Sequence, residues 1–167
     1  MSLRLPAALA ALAALAFVLQ PALAQAPTTV PCRAMVGTYL ATIVNSAGDY
    51  ASRALITLHA DGNFAIVDSA QDEGLQGSSF STQSGAWRCS TDASAAATTL
   101  NFGFPPRTSI ARSAWTLDQA HSKSGQALRG TIALHIFPGV KGVDPFRADS
   151  KPVDRFYFTA QRVNATD

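Results

Sequence analysis

Between residues 36 and 163 apolar and polar side chains alternate with a period of two and are interrupted repeatedly by turn formers, the pattern of half-buried strands. The first predicted strand covers 36–44 and stops at Asn45-Ser46-Ala47-Gly48-Asp49. The second covers 52–59, with Ala54, Ile56 and Leu58 on one face and Arg53, Leu55, Thr57 and His59 on the other. Asp61-Gly62 then gives a strong hairpin signal, because glycine tolerates the positive φ that tight turns need. The third strand, 64–68, returns directly. A polar loop over 69–77 leads to a fourth strand, 79–89, with a bulge expected at Gly85. Small residues over 90–97 connect to a fifth strand, 98–104, in which Thr98, Leu100, Phe102 and Phe104 share a face. Pro105-Pro106 ends it, since neither can donate to a ladder. The sixth strand covers 108–117 and holds Trp115, and 118–126 reads as a loop. The seventh, 127–137, is the cleanest, with Leu128, Gly130, Ile132, Leu134 and Ile136 on one face. An irregular stretch over 138–152 precedes the eighth, 153–163, where Phe156, Phe158 and Ala160 oppose Arg155, Tyr157, Thr159 and Gln161.

About eight strands joined mostly by hairpin-length loops leave little room for crossover helices. Composition agrees: Glu occurs once, at Glu73, and Lys only at 123, 141 and 151, so good surface helix formers are scarce. The expected fold is all-β, an up-and-down antiparallel β-barrel whose interior is filled or holds one ligand. A two-sheet β-sandwich is the alternative.

The first residues read differently. Arg4 precedes an apolar run from 5 to 19, Pro21 breaks it, and Ala22-Leu23-Ala24 supplies the small residues of a signal-peptidase site. The run is shorter than the roughly 20 apolar residues of a membrane span. The first cysteine lies well beyond it and follows Pro31, which argues against a lipoprotein anchor. The expected organisation is a signal peptide over 1–24, an extended segment over 25–35, and one barrel domain over 36–167, in a protein secreted or sent to the periplasm without stable membrane insertion. Removing 24 of 167 residues leaves 143, enough for a single domain with a real core. Lys plus Arg falls from 13 to 12 against 11 Asp plus Glu, a net charge near +1 with the basic residues scattered. That balance argues against nucleic acid as a partner.

In an exported chain two cysteines read as one disulfide, Cys32 with Cys89, worth about 4 kcal/mol in the chain-entropy picture. A zinc site lacks the CxxC pair or clustered histidines it needs. Parity supports the bridge: in an eight-strand meander the start of strand one and the end of strand four lie at the same barrel end.

Gly37-Thr38-Tyr39 at the start of the first strand and Arg162 at the end of the last resemble a pairing found in the lipocalin-like (calycin) barrels. There a Gly-x-Trp opens the first strand, and an Arg from the last strand packs over the Trp at the closed end. The resemblance implies that Gly37, Tyr39 and Arg162 form a closed end here. Tyr39 stands where that family has Trp, and no Thr-Asp-Tyr occurs in 118–126.

Candidate chemistry is thin. His59, His121 and His135 have no spacing that presents two imidazoles to one metal. No Gly-x-Ser-x-Gly elbow or phosphate-cradling glycine loop occurs, and a disulfide leaves no free thiol. No catalytic residue, metal or cofactor is therefore assigned. Asn164-Ala165-Thr166 fits a glycosylation sequon, which counts only in a eukaryotic secretory pathway. Parity puts the loops 69–77 and 138–152 on one rim, and long loops on a rigid scaffold tend to carry function. Asp72, Glu73, Arg107, His135, Lys141, Phe146 and Arg147 are the residues expected near a ligand there, with Asp144 beside them. Three readings stay open, in this order: a protein binding a small apolar or amphipathic molecule at the open barrel end, an interaction protein such as a protease inhibitor using the 25–31 segment, and a barrel isomerase or cyclase. A non-catalytic role is favoured.

Overall fold

The alternation closes into a ring. The computed structural model describes residues 31–72, 79–105, 108–122 and 125–165. After a 3-10 turn at Cys32–Met35 come eight strands: β1 (Gly37–Asn45), β2 (Tyr50–Leu58), β3 (Asn63–Asp68), β4 (Gln83–Cys89), β5 (Ser94–Gly103), β6 (Ser109–Ser122), β7 (Gly125–Pro138) and β8 (Asp154–Arg162). Each pairs antiparallel with the next, and β8 pairs back onto β1 from Tyr39 opposite Arg162 to Asn45 opposite Phe156. The fold is thus the all-β, up-and-down barrel of eight strands, with no sandwich.

Several local expectations give way. The expected loop over 118–126 is largely strand: β6 runs to Ser122 and β7 starts at Gly125, with Asp118 opposite Arg129 and Gln119 opposite Leu128. Asp118 and Arg129 lie on the outer face while Gln119 and Gln126 line the small gap beside Met35, and neither placement interrupts a strand. β5 likewise begins at Ser94, inside the expected connection, because alanines on the interior face pack as well as larger residues where the barrel is crowded. Of the expected start of strand four, only an isolated bridge between Phe80 and Gly103 remains before Gln83. Gly85 is not a bulge, for its pairing with Phe64 and Thr99 runs in unbroken register. Its glycine answers a close approach instead: a Cβ there would lie 1.8 Å from the Thr98 carbonyl oxygen. Residues 32–35, expected to be extended, form the 3-10 turn. The 1–24 segment, and 25–30 of the extended one, lie outside the described residues.

The interior is filled unevenly. In the half nearest the chain's start, Phe64, Trp115 and Phe158 meet edge to face at 5.7 and 5.5 Å, a geometry that aromatic quadrupoles favour. Met35 from the 3-10 turn is fully buried against this cluster and stoppers that end. The gap left there, between Met35, Tyr39 and Leu128, is about 10 Å³, no more than one water. Trp87 points into the same half and donates its indole N–H to the His59 carbonyl at 2.8 Å. The disulfide Cys32–Cys89 pins the turn to β4, with the two Cα atoms 5.8 Å apart.

Arg162 clasps this end. Its guanidinium sits 5.8 Å from the centre of the Tyr39 ring and donates to the carbonyls of Ala34 (3.2 Å) and Val36 (2.7 Å) and to the Gln126 amide oxygen. Gly37 makes the approach feasible, since its φ is +148° and a Cβ would fall 2.9 Å from the guanidinium. Burial pushes the Tyr39 hydroxyl above its ordinary pKa, and the nearby Arg162 charge partly offsets that. Arg162→Ala leaves several carbonyls and an aromatic face unpartnered and should cost about 2–4 kcal/mol. Arg162→Lys should recover only part of this, because a point charge cannot fork between two carbonyls. Urea unfolding of the three proteins checks the order; equal midpoints would contradict the clasp.

Candidate functional site

The other half of the barrel is hollow. A cavity of about 540 Å³ opens at the rim formed by the end of β1, the start of β2 and the corresponding ends of the remaining strands. It exists because the interior positions of upper β5 and β6 carry Asn101, Gly103, Ser109, Ala111 and Ser113, too small to meet across the ring. Trp115, buried and standing between the hollow and the packed half, borders its inner end.

The wall has two faces. From β7 through β8 to β1 it is mostly apolar, with Ile132, Leu134, Ile136, Phe156 and Ile43, broken at the strand ends by Asp154 and Asn45. From β2 to β6 it is polar, with Ser52, Asp68, Gln83, Asn101, Ser109 and Ser113. Tyr50 and Phe80 add aromatic area to the lining.

Some of the polar groups are paired with one another. The Trp115 indole N–H donates to Thr99 Oγ1 at 3.2 Å, and that hydroxyl donates to Gln83 Oε1 at 2.9 Å. This chain spends the Gln83 carbonyl but leaves its amide N–H groups for the cavity. Asn101 is 7% exposed and Ser113 3%, and neither side chain has a hydrogen-bond partner among the described residues. Buried polar groups are normally satisfied, by protein or by water, so these two face the cavity with hydrogen-bonding capacity to spare.

Asp68 stands at the end of β3. Ser52 Oγ donates to one carboxylate oxygen at 3.1 Å and the Ala70 N–H to the other at 2.9 Å. Burial raises its pKa above the ordinary carboxylate value, and those two donors only partly hold it down. Asp154, on β8, is the other charged residue lining the cavity among the described residues.

The residues expected from the rim loops lie elsewhere. Glu73 and Arg107 fall outside the described residues. Asp72 is exposed beyond the end of β3 and does not line the cavity. Lys141, Phe146 and Arg147 are exposed on the 139–153 loop, where Arg147 pairs with Asp149 at 3.1 Å on the open surface. Such a pair contributes little. His135 alternates with Leu134 and Ile136, so its ring is turned to the outer wall, where it is buried. There the 139–153 loop folds back over it: Arg112 donates to the Pro145 carbonyl at 2.8 Å and to Ser150 Oγ at 2.6 Å, and His135 Nδ1 lies 3.2 Å from both Arg112 and Ser150. Burial, then the charges of Arg112 and Arg155, depress the His135 pKa and keep the imidazole neutral. The loop is thus occupied in covering the barrel's side. No group of three or more His, Cys, Asp or Glu side chains converges among the described residues.

The lining residues that sequence reading passed over had a signal. Several of the polar ones keep phase with buried neighbours two or four positions away: Ser52 with Ala54 and Ile56, Asp68 with Ile66 and Phe64, Gln83 with Trp87, and Ser113 with Trp115 and Leu117. A polar residue on the apolar phase of a strand is a better pointer to a barrel cavity than a polar loop.

No protein-family model, curated protein or solved structure matches the chain.

Because folding raises the Asp68 pKa, its ionisation costs the folded chain stability. The cost is absent below the ordinary carboxylate pKa and complete above the raised one. Asp68→Asn should therefore gain stability relative to the native chain as pH climbs through that window, read from urea midpoints between about pH 3 and pH 8. A difference that stays flat, or shrinks with rising pH, would contradict the assigned burial.

Proposed function

We propose that the chain is an exported binding protein that holds one small amphipathic molecule in the open end of its barrel. The observation that carries the reading is the 540 Å³ cavity with an apolar arc facing a polar one. That volume lies within the usual range of small-molecule pockets, about 300–1,000 Å³. An amphipathic guest would lay its hydrocarbon along β7, β8 and β1 and turn its polar edge to Asn101, Ser113 and the Gln83 amide, replacing water on both sides. Export is supported by the Arg4-to-Ala24 pattern and by the Cys32–Cys89 bridge, since disulfides persist in oxidising compartments. Kinship with the lipocalin-like barrels is supported by Arg162 over Tyr39 beside Gly37 at the closed end.

The two tryptophans make a direct test feasible, because Trp115 borders the cavity and Trp87 sits in the packed half. In a Trp87→Phe background, titration with decanol or an apolar dye should change Trp115 emission saturably with a one-site isotherm. Ala111→Trp, which puts a large ring into the space, should weaken that binding at least about tenfold without loss of the folded state. Non-saturable emission changes, or full binding by the blocked variant, would overturn the reading.

A further inference from the structure

The charge lining the cavity is one-sided. Its two ionisable carboxyl groups, Asp68 and Asp154, come from strands on different sides of the ring, and no Lys, Arg or His lines it among the described residues. From this we infer that the guest is an amphipathic cation, a hydrocarbon or aromatic body bearing a protonated amine, and that fatty-acid anions are selected against. The inference rests on the binding reading above and deepens it.

Three independent features converge. Asp68 is held in place by Ser52 Oγ and the Ala70 N–H, so its carboxylate is oriented before any ligand arrives. Among the described residues it has no cationic side chain for a partner; its donors there are neutral, and they leave lone pairs free on a group that accepts through two oxygens. Lining the same cavity, the carbonyl of Asn101, buried and without a hydrogen-bond partner among the described residues, and the hydroxyl of Ser113 are further acceptors for the N–H groups of an ammonium. The apolar arc and the Trp115, Phe80 and Phe156 rings take the rest of the molecule, and aromatic faces attract cations. An anionic head in the same place would meet like charge and no positive group among the described lining residues, a juxtaposition that selects against wrong partners. A half-buried carboxyl kept where it weakens the free fold is also what a binding group, rather than a structural one, is expected to do.

The test uses three molecules with the same ten-carbon chain, decylamine, decanol and decanoate, titrated below their micellar concentrations into the disulfide-bonded mature chain at pH 7 by calorimetry. Decylamine should bind at least about tenfold more tightly than decanoate, with decanol between them, since a charge-assisted contact is roughly twice as strong as a neutral one. Asp68→Asn should bring decylamine close to decanol while decanol itself is unmoved, and Asp154→Asn should narrow the gap less or as much. Thermal melts confirm that each variant is folded. Decanoate binding as tightly as decylamine, or a preference for the amine that survives both substitutions, overturns the charge selection and leaves the cavity reading standing. Failure of all three to bind overturns both.

Discussion

A ring of eight paired strands encloses a fixed volume, and nearly everything in this structure follows from how side-chain size is distributed within it. The closure of β8 onto β1 sets the diameter. Given that diameter, Phe64, Trp115 and Phe158 fill one half completely, with alanines at the facing β5 positions Ala95 and Ala97 making room for them. The same small-residue habit continues up β5 and β6, where no large side chain reaches in to use the space, and a cavity results. Packed floor and hollow mouth are thus one design, read in two layers.

The packed half is also the anchored half. The disulfide, the buried Met35 and the Arg162 guanidinium all act at the same end and tie the chain's start to β4 and β8. Rigidity there allows the opposite end to carry a half-buried carboxyl and cavity-facing amides without a full set of partners among the described residues, features that cost stability and persist only on a scaffold that can absorb them. Coverage of the outer wall serves the same purpose: the 139–153 loop shields Arg112, His135 and Phe137, keeping the long β6–β7 ribbon from exposing its apolar side.

The period-two pattern made strand number, order and barrel closure legible, and the parity of a meander was enough to bring Cys32 beside Cys89. What alternation leaves undetermined is which face looks inward. On β5 the face bearing Leu100, Phe102 and Phe104 is the more apolar, yet it turns outward, with Phe102 58% exposed. The interior opposite Trp115 had room only for the small residues of the other face, a tertiary constraint that a single strand does not carry. For the same reason the polar rim loops draw the eye in the sequence, whereas the cavity lining comes mostly from the strands, from residues such as Asn101 and Asp68 that look like ordinary solvent-facing positions until their phase is compared with their neighbours. The 3-10 turn at Cys32–Met35 was hidden differently, in a segment too short for any periodicity to register.

The central claim, a ligand-accepting hollow confined to one end of the barrel, is tested most directly by mapping amide and indole shifts of the isotopically labelled protein as decylamine is added. The account predicts that Ser52, Asp68, Gln83, Asn101, Ser113 and the Trp115 indole move together with one saturation curve, while the Trp87 indole and the Tyr39–Arg162 end stay still. Shifts confined to the 139–153 loop or the outer wall, with a silent Trp115 indole, would contradict it.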